Sequence, residues 1–194
     1  MNKIANASAL GYAAFALALW MYSMIPAGWF DPSQTVGALL MAVVLGGSVM
    51  AIAGILRCLQ GHTLDSVLFL GFAGYWWIAL LETHMTGLGE LSSPGFLGWY
   101  AMVWAFLAFC LWLAARKDGV ARMLFVLGLC LSLFAQALAE WLHLDALEML
   151  SGYLGLVTAI VGIYIAAAEV INETHGHTVL PLGETTPDRG THAS

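Results

Sequence analysis

The sequence has 194 residues, of which 61% are hydrophobic and only 9% are charged, and its mean hydropathy is +0.84. Soluble domains are roughly 45–50% apolar and 25% charged, so this composition argues against a water-soluble enzyme. Six Lys and Arg against twelve Asp and Glu give a formal charge of −6. Because no basic cluster is present to neutralise phosphates, we expect no nucleic acid partner.

Six long apolar segments dominate the chain, each bounded by charged residues, Gly or Pro. A bilayer core of about 30 Å requires about 20 apolar residues in a helix, and each segment is long enough to cross. Strands of a membrane β-barrel would be about half as long and would alternate apolar with polar residues, unlike these segments. We therefore predict an all-α fold, a polytopic membrane protein with six transmembrane helices. Their predicted bounds are 10–27, 36–56, 64–81, 95–115, 120–142 and 147–171.

With six crossings, all basic residues fall on one side of the membrane. The positive-inside rule makes that side cytoplasmic, and both termini lie on it. The loops predicted on the opposite side carry acidic residues and neither Lys nor Arg. The basic residues are Lys3, Arg57, Arg116, Lys117, Arg122 and Arg189, and the acidic residues across the membrane are Asp31, Glu82, Glu90, Asp145 and Glu148.

The connections between the apolar segments are short, so we expect no inserted soluble domain. Residues 1–184 are predicted to form one six-helix membrane domain. Residues 185–194 are polar and rich in Thr, Pro, Gly and His, and we predict that this tail is disordered because it cannot bury a core.

Small residues recur at three- and four-residue spacing in the second and sixth predicted helices. Such stripes allow helix backbones to approach closely, although they could instead line a pore. In both interpretations these two helices are central to the bundle. The stripes comprise Gly47, Ala51 and Gly54 in the second helix, and Gly155, Ala159, Gly162 and Ala166 in the sixth.

The apolar segments carry no hydrolase elbow, phosphate loop, His-Glu-x-x-His motif or dinucleotide fingerprint. We therefore expect neither enzymatic activity nor a cofactor. Cys58, Cys110 and Cys130 are isolated from one another, which favours small packing residues over a disulfide framework or a metal site.

Acidic and histidine side chains gather at the predicted outer face, where two interpretations stay open. They could handle protons or bind a metal, or they could be solvated helix ends without a role. Glu140 lies in the last turn of the fifth predicted helix, where a carboxylate is either functional or extends to the interface. The set comprises Glu82, His84, Glu140, His143, Asp145 and Glu148.

Glu169 and Glu173 lie four residues apart at the predicted cytoplasmic end of the sixth helix, so they share one face. Like charges in this position need partners. An ion-pair network with Lys3, Arg57, Arg116 or Arg122 is one interpretation, and proton handling by Glu169 and Glu173 is the other.

The C-terminal stretch 162–184 carries a recognisable signature. Its Ala-Glu-Val-Ile-Asn-Glu segment, followed by Gly-His-Thr-Val-Leu-Pro-Leu-Gly-Glu, resembles the end of the acetate uptake transporter family, also called succinate-acetate permeases. The N-terminal segment 6–11 is similar to that family's Asn-Pro-Ala-Pro-Leu-Gly motif, with both prolines lost. Gly46-Gly47 and Gly61-x-Thr63 follow in family order, so the resemblance extends to residue 184.

This resemblance implies a monocarboxylate permease of the cytoplasmic membrane, for acetate and sometimes succinate. It implies a homo-oligomer, a hexamer with a pore through each six-helix protomer. The family's hydrophobic constriction is similar to Phe15, Phe72 and Leu131 in this chain. Met50, Arg57 and His62 depart from the family, which has Gln, an acidic residue and Asn there.

We expect polar groups at the mouths of this pore to hold the carboxylate, namely Asn6, Thr63 and Asn172. Protonation before the constriction would remove most of the cost of dehydrating an anion, and the outer carboxylates or His84 could supply that proton. Two other functions stay open, a channel for a neutral small solute and a membrane sensor that transports nothing.

Overall fold

The computed structural model describes residues 5–85 and 93–183, without the side chains of residues 83–85 and 94. Lys3, Glu90, Arg189 and the predicted tail 185–194 lie outside these ranges. The described residues form six helices and no strand, which confirms the all-α fold. The helices are α1 (Ser8–Ser23), α2 (Pro32–Leu59), α3 (Thr63–Met85), α4 (Pro94–Ala115), α5 (Val120–Leu142) and α6 (Asp145–His175). By length and composition, α2 to α6 are each able to cross a membrane.

Helix α1 is shorter than predicted. Its 16 residues extend only about 24 Å at 1.5 Å per residue. Hydrogen-bonded turns over residues 24–28 continue the chain, with Ala27 N–H donating to Ser23 O. Pro26 lacks the N–H that a further helical turn needs, so the α-helix ends before it. Tyr12 and Phe15 of α1 are fully buried, which places this helix inside the bundle.

Helix α2 contains a π-helical segment, Val43–Val49, against which two indole rings of α3 pack. A Cβ atom at Gly46 would overlap the Trp76 ring, and one at Gly47 would contact Trp77. The widened turn and the two missing side chains therefore accommodate bulky neighbours at close range.

The glycine stripe of α6 packs against α1 and α5. A Cβ atom at Gly162 would overlap Phe125 of α5 and Ala16 of α1. At Gly155 it would overlap the Ser23 hydroxyl. The helix-packing interpretation of this stripe is confirmed, and α1 and α5 are the helices that α6 packs against.

Charged residues separate to the two ends of the bundle. Arg57, Lys117 and Asp118 line one cavity, and Glu140 and Glu148 line another. Helix α5 connects the two regions, because Arg122 and Glu140 are 18 residues apart on it, or about 27 Å. We call the end with Arg57, Arg116, Lys117 and Arg122 the basic end, and the opposite end the acidic end.

Residues 179–183, which we call the strap, cover the start of α5. Val120 N–H donates to Gly183 O at 3.2 Å and Ala121 N–H to Leu182 O at 3.1 Å, so the strap satisfies two amides that the helix itself leaves free. Gly183 has φ +71°, in the left-handed region that favours glycine.

Candidate functional site

Helices α1, α3, α5 and α6 turn one face each towards a common lumen. The lining residues of a single helix are three or four positions apart, which keeps them on one side of that helix. They enclose a narrow chamber of about 20 Å³, enough for roughly one water molecule. Its lining includes Phe15, Leu19, Tyr22 and Ser23 of α1, Phe72, Tyr75 and Trp76 of α3, Leu129, Ser132, Leu133 and Gln136 of α5, and Ser151 of α6.

The chamber adjoins a larger cavity at the acidic end, which we call the acidic vestibule. Its volume is about 280 Å³. Tyr22, Pro26, Gln136 and Ser151 line both cavities, so the two are contiguous. The vestibule is further lined by Ala139, Glu140, His143, Leu144, Asp145 and Glu148.

Phe15 and Phe72 close the chamber towards the basic end. Their ring centroids are 5.3 Å apart, and Phe125 packs edge-on against Phe15 at 5.2 Å. All three rings are buried. We call Phe15, Phe72 and the adjacent Leu129 the neck.

The predicted position of Leu131 in the constriction is wrong. Leu131 is 47% exposed on the outside of the protomer, whereas Leu129 is 3% exposed and lines the chamber. Residues two positions apart on an α-helix point in nearly opposite directions, so both cannot face the lumen.

One helical turn beyond the neck, Tyr12 fills the lumen. It packs edge-on against Phe69 and Phe125, with centroid distances of 5.1 and 5.2 Å. Its hydroxyl donates to Asp65 Oδ1 at 3.4 Å. Tyr12 therefore joins the aromatic packing of the neck to a polar layer below it.

That polar layer, which we call the ion-pair layer, contains two salt bridges, one buried and one nearly so. Arg57 Nη2 lies 2.6 Å from Asp65 Oδ2, and Arg122 Nη2 lies 2.7 Å from Glu169 Oε1. Asn6 links the pairs, because its Oδ1 accepts from Arg57 Nη1 at 3.1 Å and its Nδ2 donates to Glu169 Oε2 at 3.3 Å. Buried charges that are paired in this way avoid the cost of an isolated charge.

Beyond the ion-pair layer an open cavity of about 310 Å³ leads to the surface at the basic end. Arg57, Asp65 and Asp118 contribute charged groups to it. The described lumen thus runs from the acidic vestibule through the chamber to the neck, and the neck, Tyr12 and the ion-pair layer separate it from this basic cavity.

A family model for the GPR1/FUN34/yaaH family matches residues 1–185. The chain belongs to this family. It is 29% identical to the succinate-acetate/proton symporter SatP of Escherichia coli K12, over 94% of this chain and 97% of SatP. A solved structure of the bacterial acetate channel SatP superposes with a TM-score of 0.88 at 26% identity, over 93% of this chain and all of that one.

Family relatives also occur in yeast. The chain is 24% identical to ammonia transport outward protein 2 of Saccharomyces cerevisiae, over 93% of this chain and 66% of that protein. It is likewise 27% identical to accumulation of dyads protein 2 of the same yeast, over 92% of this chain and 66% of that protein.

The three residues predicted to hold a carboxylate do not come together. Asn6 belongs to the ion-pair layer, and Thr63 is exposed in the cavity at the basic end. Asn172 instead holds the strap: its Oδ1 accepts from the N–H groups of Val179 and Leu180 at 2.7 and 2.9 Å, and its Nδ2 donates to Leu180 O. This use of its amide corrects the prediction of a substrate ligand at Asn172.

The predicted proton-handling residues separate in the same way. Glu140 lines the acidic vestibule, and Glu82 lies half-exposed at the same end, whereas the side chain of His84 lies outside the described part of the structure. Glu169 forms the ion pair with Arg122, as the ion-pair interpretation predicted. Glu173 is exposed and lies outside the ion-pair layer.

The metal interpretation of the acidic end finds no support in the described residues. Across 5–85 and 93–183, no three His, Cys, Asp or Glu side chains lie close enough to hold a metal ion. Glu140, His143, Asp145 and Glu148 of this set instead contribute to the wall of the acidic vestibule.

Sequence reasoning missed Asp65, Tyr12 and Gln136. Asp65 resembles a solvated acid in the first turn of α3, yet it is 2% exposed. The sequence does contain a signal for Asp65, its position along the helix. Asp65 lies four residues before Phe69 and seven before Phe72, which places all three side chains on one helix face. Tyr12 is likewise in phase with Phe15.

Proposed function

We propose that this chain is a membrane permease or channel for small monocarboxylates, with acetate as a substrate, and that it is not an enzyme. The observation that carries the proposal is the aromatic neck between two polar cavities, in a chain that shares its fold with the acetate channel SatP. The similarity to the succinate-acetate/proton symporter supports the same substrate class.

The neck selects for small solutes with an apolar end. Phe15, Phe72 and Leu129 offer no hydrogen-bond donor, so a carboxylate anion crosses them without a replacement for its hydration shell. A protonated short-chain acid has lost the charge and presents a methyl group to the rings. Acetic acid in its neutral form therefore meets a lower barrier than acetate.

The acidic vestibule favours the same species. The vestibule is lined by three carboxylates, Glu140, Asp145 and Glu148, and by one histidine, His143. Its net charge is therefore negative at neutral pH, and it repels anions. An anion that enters an inside-negative cell also works against about 2.3 kcal/mol per 100 mV. We assign proton donation before the neck to the vestibule, with Glu140 and the nearby Glu82 as the candidate donors, so that uptake is proton-linked.

The proposal includes an orientation in the cytoplasmic (inner) membrane. The basic end faces the cytoplasm under the positive-inside rule, together with both termini. Apolar side chains exposed along α2 and α4, such as Val44, Val103 and Phe106, suit contact with lipid or with a second copy in a homo-oligomer, for which a hexamer is the expected state. Native mass spectrometry of the detergent-solubilised protein tests the assembly.

Purified protein in liposomes tests the function. We expect radiolabelled acetate uptake above that of empty liposomes, faster with an inward proton gradient and competed by short-chain acids. Glu140→Gln should weaken the dependence on external pH. Asp31→Asn is the matched control, since Asp31 is exposed at the same end and Asn also caps a helix.

Other outcomes of this experiment decide against the proposal. Acetate flux that is unchanged by the proton gradient and by external pH overturns proton linkage. Competition by acetamide or glycerol as strong as that by acetate favours a channel for neutral solutes. The absence of flux for every solute favours a sensor that transports nothing.

A further inference from the structure

The ion-pair layer lies on the same helix faces as the neck. On α1, Ser8 precedes Tyr12 by four residues and Phe15 by seven, and on α3 Asp65, Phe69 and Phe72 repeat this spacing. On α5, Arg122 is three residues before Phe125. Because such spacings keep side chains on one face, the ion-pair layer closes the basic end of the same lumen.

Within this layer, Glu169 is held as a bound carboxylate would be. Its Oε1 accepts from Arg122 Nη2 at 2.7 Å and from the Ser8 hydroxyl at 2.8 Å. Its Oε2 accepts from Asn6 Nδ2 at 3.3 Å. Glu169 is 7% exposed, so one guanidinium, one hydroxyl and one amide surround a carboxylate that is almost removed from water.

These donors contact only the carboxylate group of Glu169 and would bind a free carboxylate in the same way. Beyond Cβ, a glutamate side chain is a methylene and a carboxylate, the heavy atoms of acetate. Arg122 and its partners would make the same hydrogen bonds to either group. We propose that the Arg122–Ser8–Asn6 cluster is a monocarboxylate site at the basic end of the lumen, which Glu169 occupies in the closed state and which free acetate takes by displacing Glu169.

Exchange avoids one cost of opening this layer, that of leaving Arg122 with fewer partners. Removal of Glu169 alone would leave the Arg122 charge buried with fewer partners, whereas replacement by acetate keeps it paired. Asp118 binds a different nitrogen of the guanidinium, Arg122 Nη1, at 2.8 Å, so this bond does not depend on Glu169. The Asn6 side chain bonds both Glu169 and Arg57, and so links the two ion pairs. When Glu169 is displaced, Asn6 loses its bond to Glu169 and this link is broken.

This inference rests on the proposed function for its substrate class, but its central test needs no transport. Glu169→Ala removes the Cγ methylene and the carboxylate, which leaves a gap of the shape of acetate beside Arg122. In detergent-solubilised, purified full-length protein, we expect acetate to raise the Tm of Glu169→Ala saturably. Acetamide, which has the same shape but no charge, and chloride at equal ionic strength should not do so.

Glu173→Ala is the matched control. Glu173 lies one turn further along α6 and is exposed, so its replacement opens no gap beside a guanidinium. We expect its Tm to respond to acetate no more than that of the unmodified protein. If acetate stabilises both alanine variants equally, or stabilises Glu169→Ala no more than acetamide does, the site is not a carboxylate site and the inference is overturned.

A second experiment measures the displacement of Glu169 by acetate directly. It also tests the proposal if Glu169→Ala does not fold. Glu169→Gln keeps the size of the side chain but weakens its hold on Arg122. We expect the acetate concentration that gives half-maximal protection of Arg122 from phenylglyoxal to fall at least several-fold in this variant. An unchanged concentration overturns the exchange.

The two proposals fail in different ways. Acetate flux in liposomes without acetate-dependent stabilisation of Glu169→Ala rejects the site and retains the permease. Stabilisation by acetate without any flux retains the site and rejects the permease.

Discussion

Arg57 and Asp65 face each other across the short connection between α2 and α3, and the guanidinium contacts Oδ2 of Asp65 through both Nη2 and Nε, at 2.6 and 2.8 Å. Both side chains are buried. The remaining donor, Nη1, is shared between Asn6 and Gln60. Arg57 therefore connects the start of α1 to the adjoining ends of α2 and α3.

Loss of one partner of this pair should destabilise the protein strongly. Asp65→Ala leaves the Arg57 charge buried without its carboxylate, for which we expect about 3–5 kcal/mol of lost stability, measured by unfolding in detergent. Asp118→Ala is the control, because Asp118 is 41% exposed and its pair with Arg122 should contribute only about 0–1 kcal/mol. Equal losses in the two variants would contradict the buried character of the Arg57 pair.

The neck should set the size of the solute that passes. Phe72→Ala removes a ring that contacts Phe15, Tyr75 and Trp104, at a cost of about 3–5 kcal/mol in stability. We expect a higher rate of butyrate uptake relative to acetate in liposomes. Phe134→Ala is the control, since Phe134 points out of the bundle at 46% exposure. An unchanged butyrate-to-acetate ratio in Phe72→Ala would place the size barrier elsewhere.

The apolar pattern predicted the helices better than it predicted their ends. Helix α5 has the predicted bounds, because Gly119 before it and His143 after it break an otherwise apolar run. Helix α6 extends four residues beyond the predicted end at 171, since Asn172 and Glu173 are polar but compatible with a helix outside the lipid. Helix α1 ends four residues before the predicted end at 27, because Pro26 interrupts the backbone hydrogen bonds. A prediction from hydropathy does not take this missing hydrogen bond into account.

The candidate site was less predictable, because lumen-facing and lipid-facing residues are equally apolar. Phe15 and Phe72 were placed by resemblance and do contact each other, but Leu131 was placed two residues too late, on the outward-facing side of α5. From charge alone, an ion pair of Glu169 with a basic residue was one of two interpretations, and the structure shows that pair. Its choice of Arg122 depends on how α5 and α6 pack, which no local pattern encodes.

Close contact between α1 and α6 should not tolerate a side chain at Gly162. In Gly162→Ala the new Cβ overlaps Phe125 and Ala16, so the helices must separate, at about 1–3 kcal/mol of stability. Gly37→Ala provides the comparison, because a Cβ there would meet nothing within 4 Å apart from its chain neighbours and the backbone of its own helix. Alanine has the higher helix propensity, so Gly37→Ala should be neutral or slightly stabilising. A Tm for Gly162→Ala as high as that for Gly37→Ala would show that the α1–α6 contact is loose.

The strap should detach when the Asn172 amide is removed. Asn172→Leu abolishes one donor and one acceptor that make three hydrogen bonds to Val179 and Leu180, each contributing about 0.5–1.5 kcal/mol. The Val120 and Ala121 amides, which donate to the strap, should then exchange with deuterium faster. Asn172→Asp is the informative control, because a carboxylate oxygen still accepts from both N–H groups although the bond to Leu180 O is lost. We therefore expect intermediate protection in Asn172→Asp. Equal exchange rates in all three proteins would mean that the strap is held by its other contacts, such as the Tyr164 hydroxyl bond to Pro181 O and the packing of Leu182, and not by Asn172.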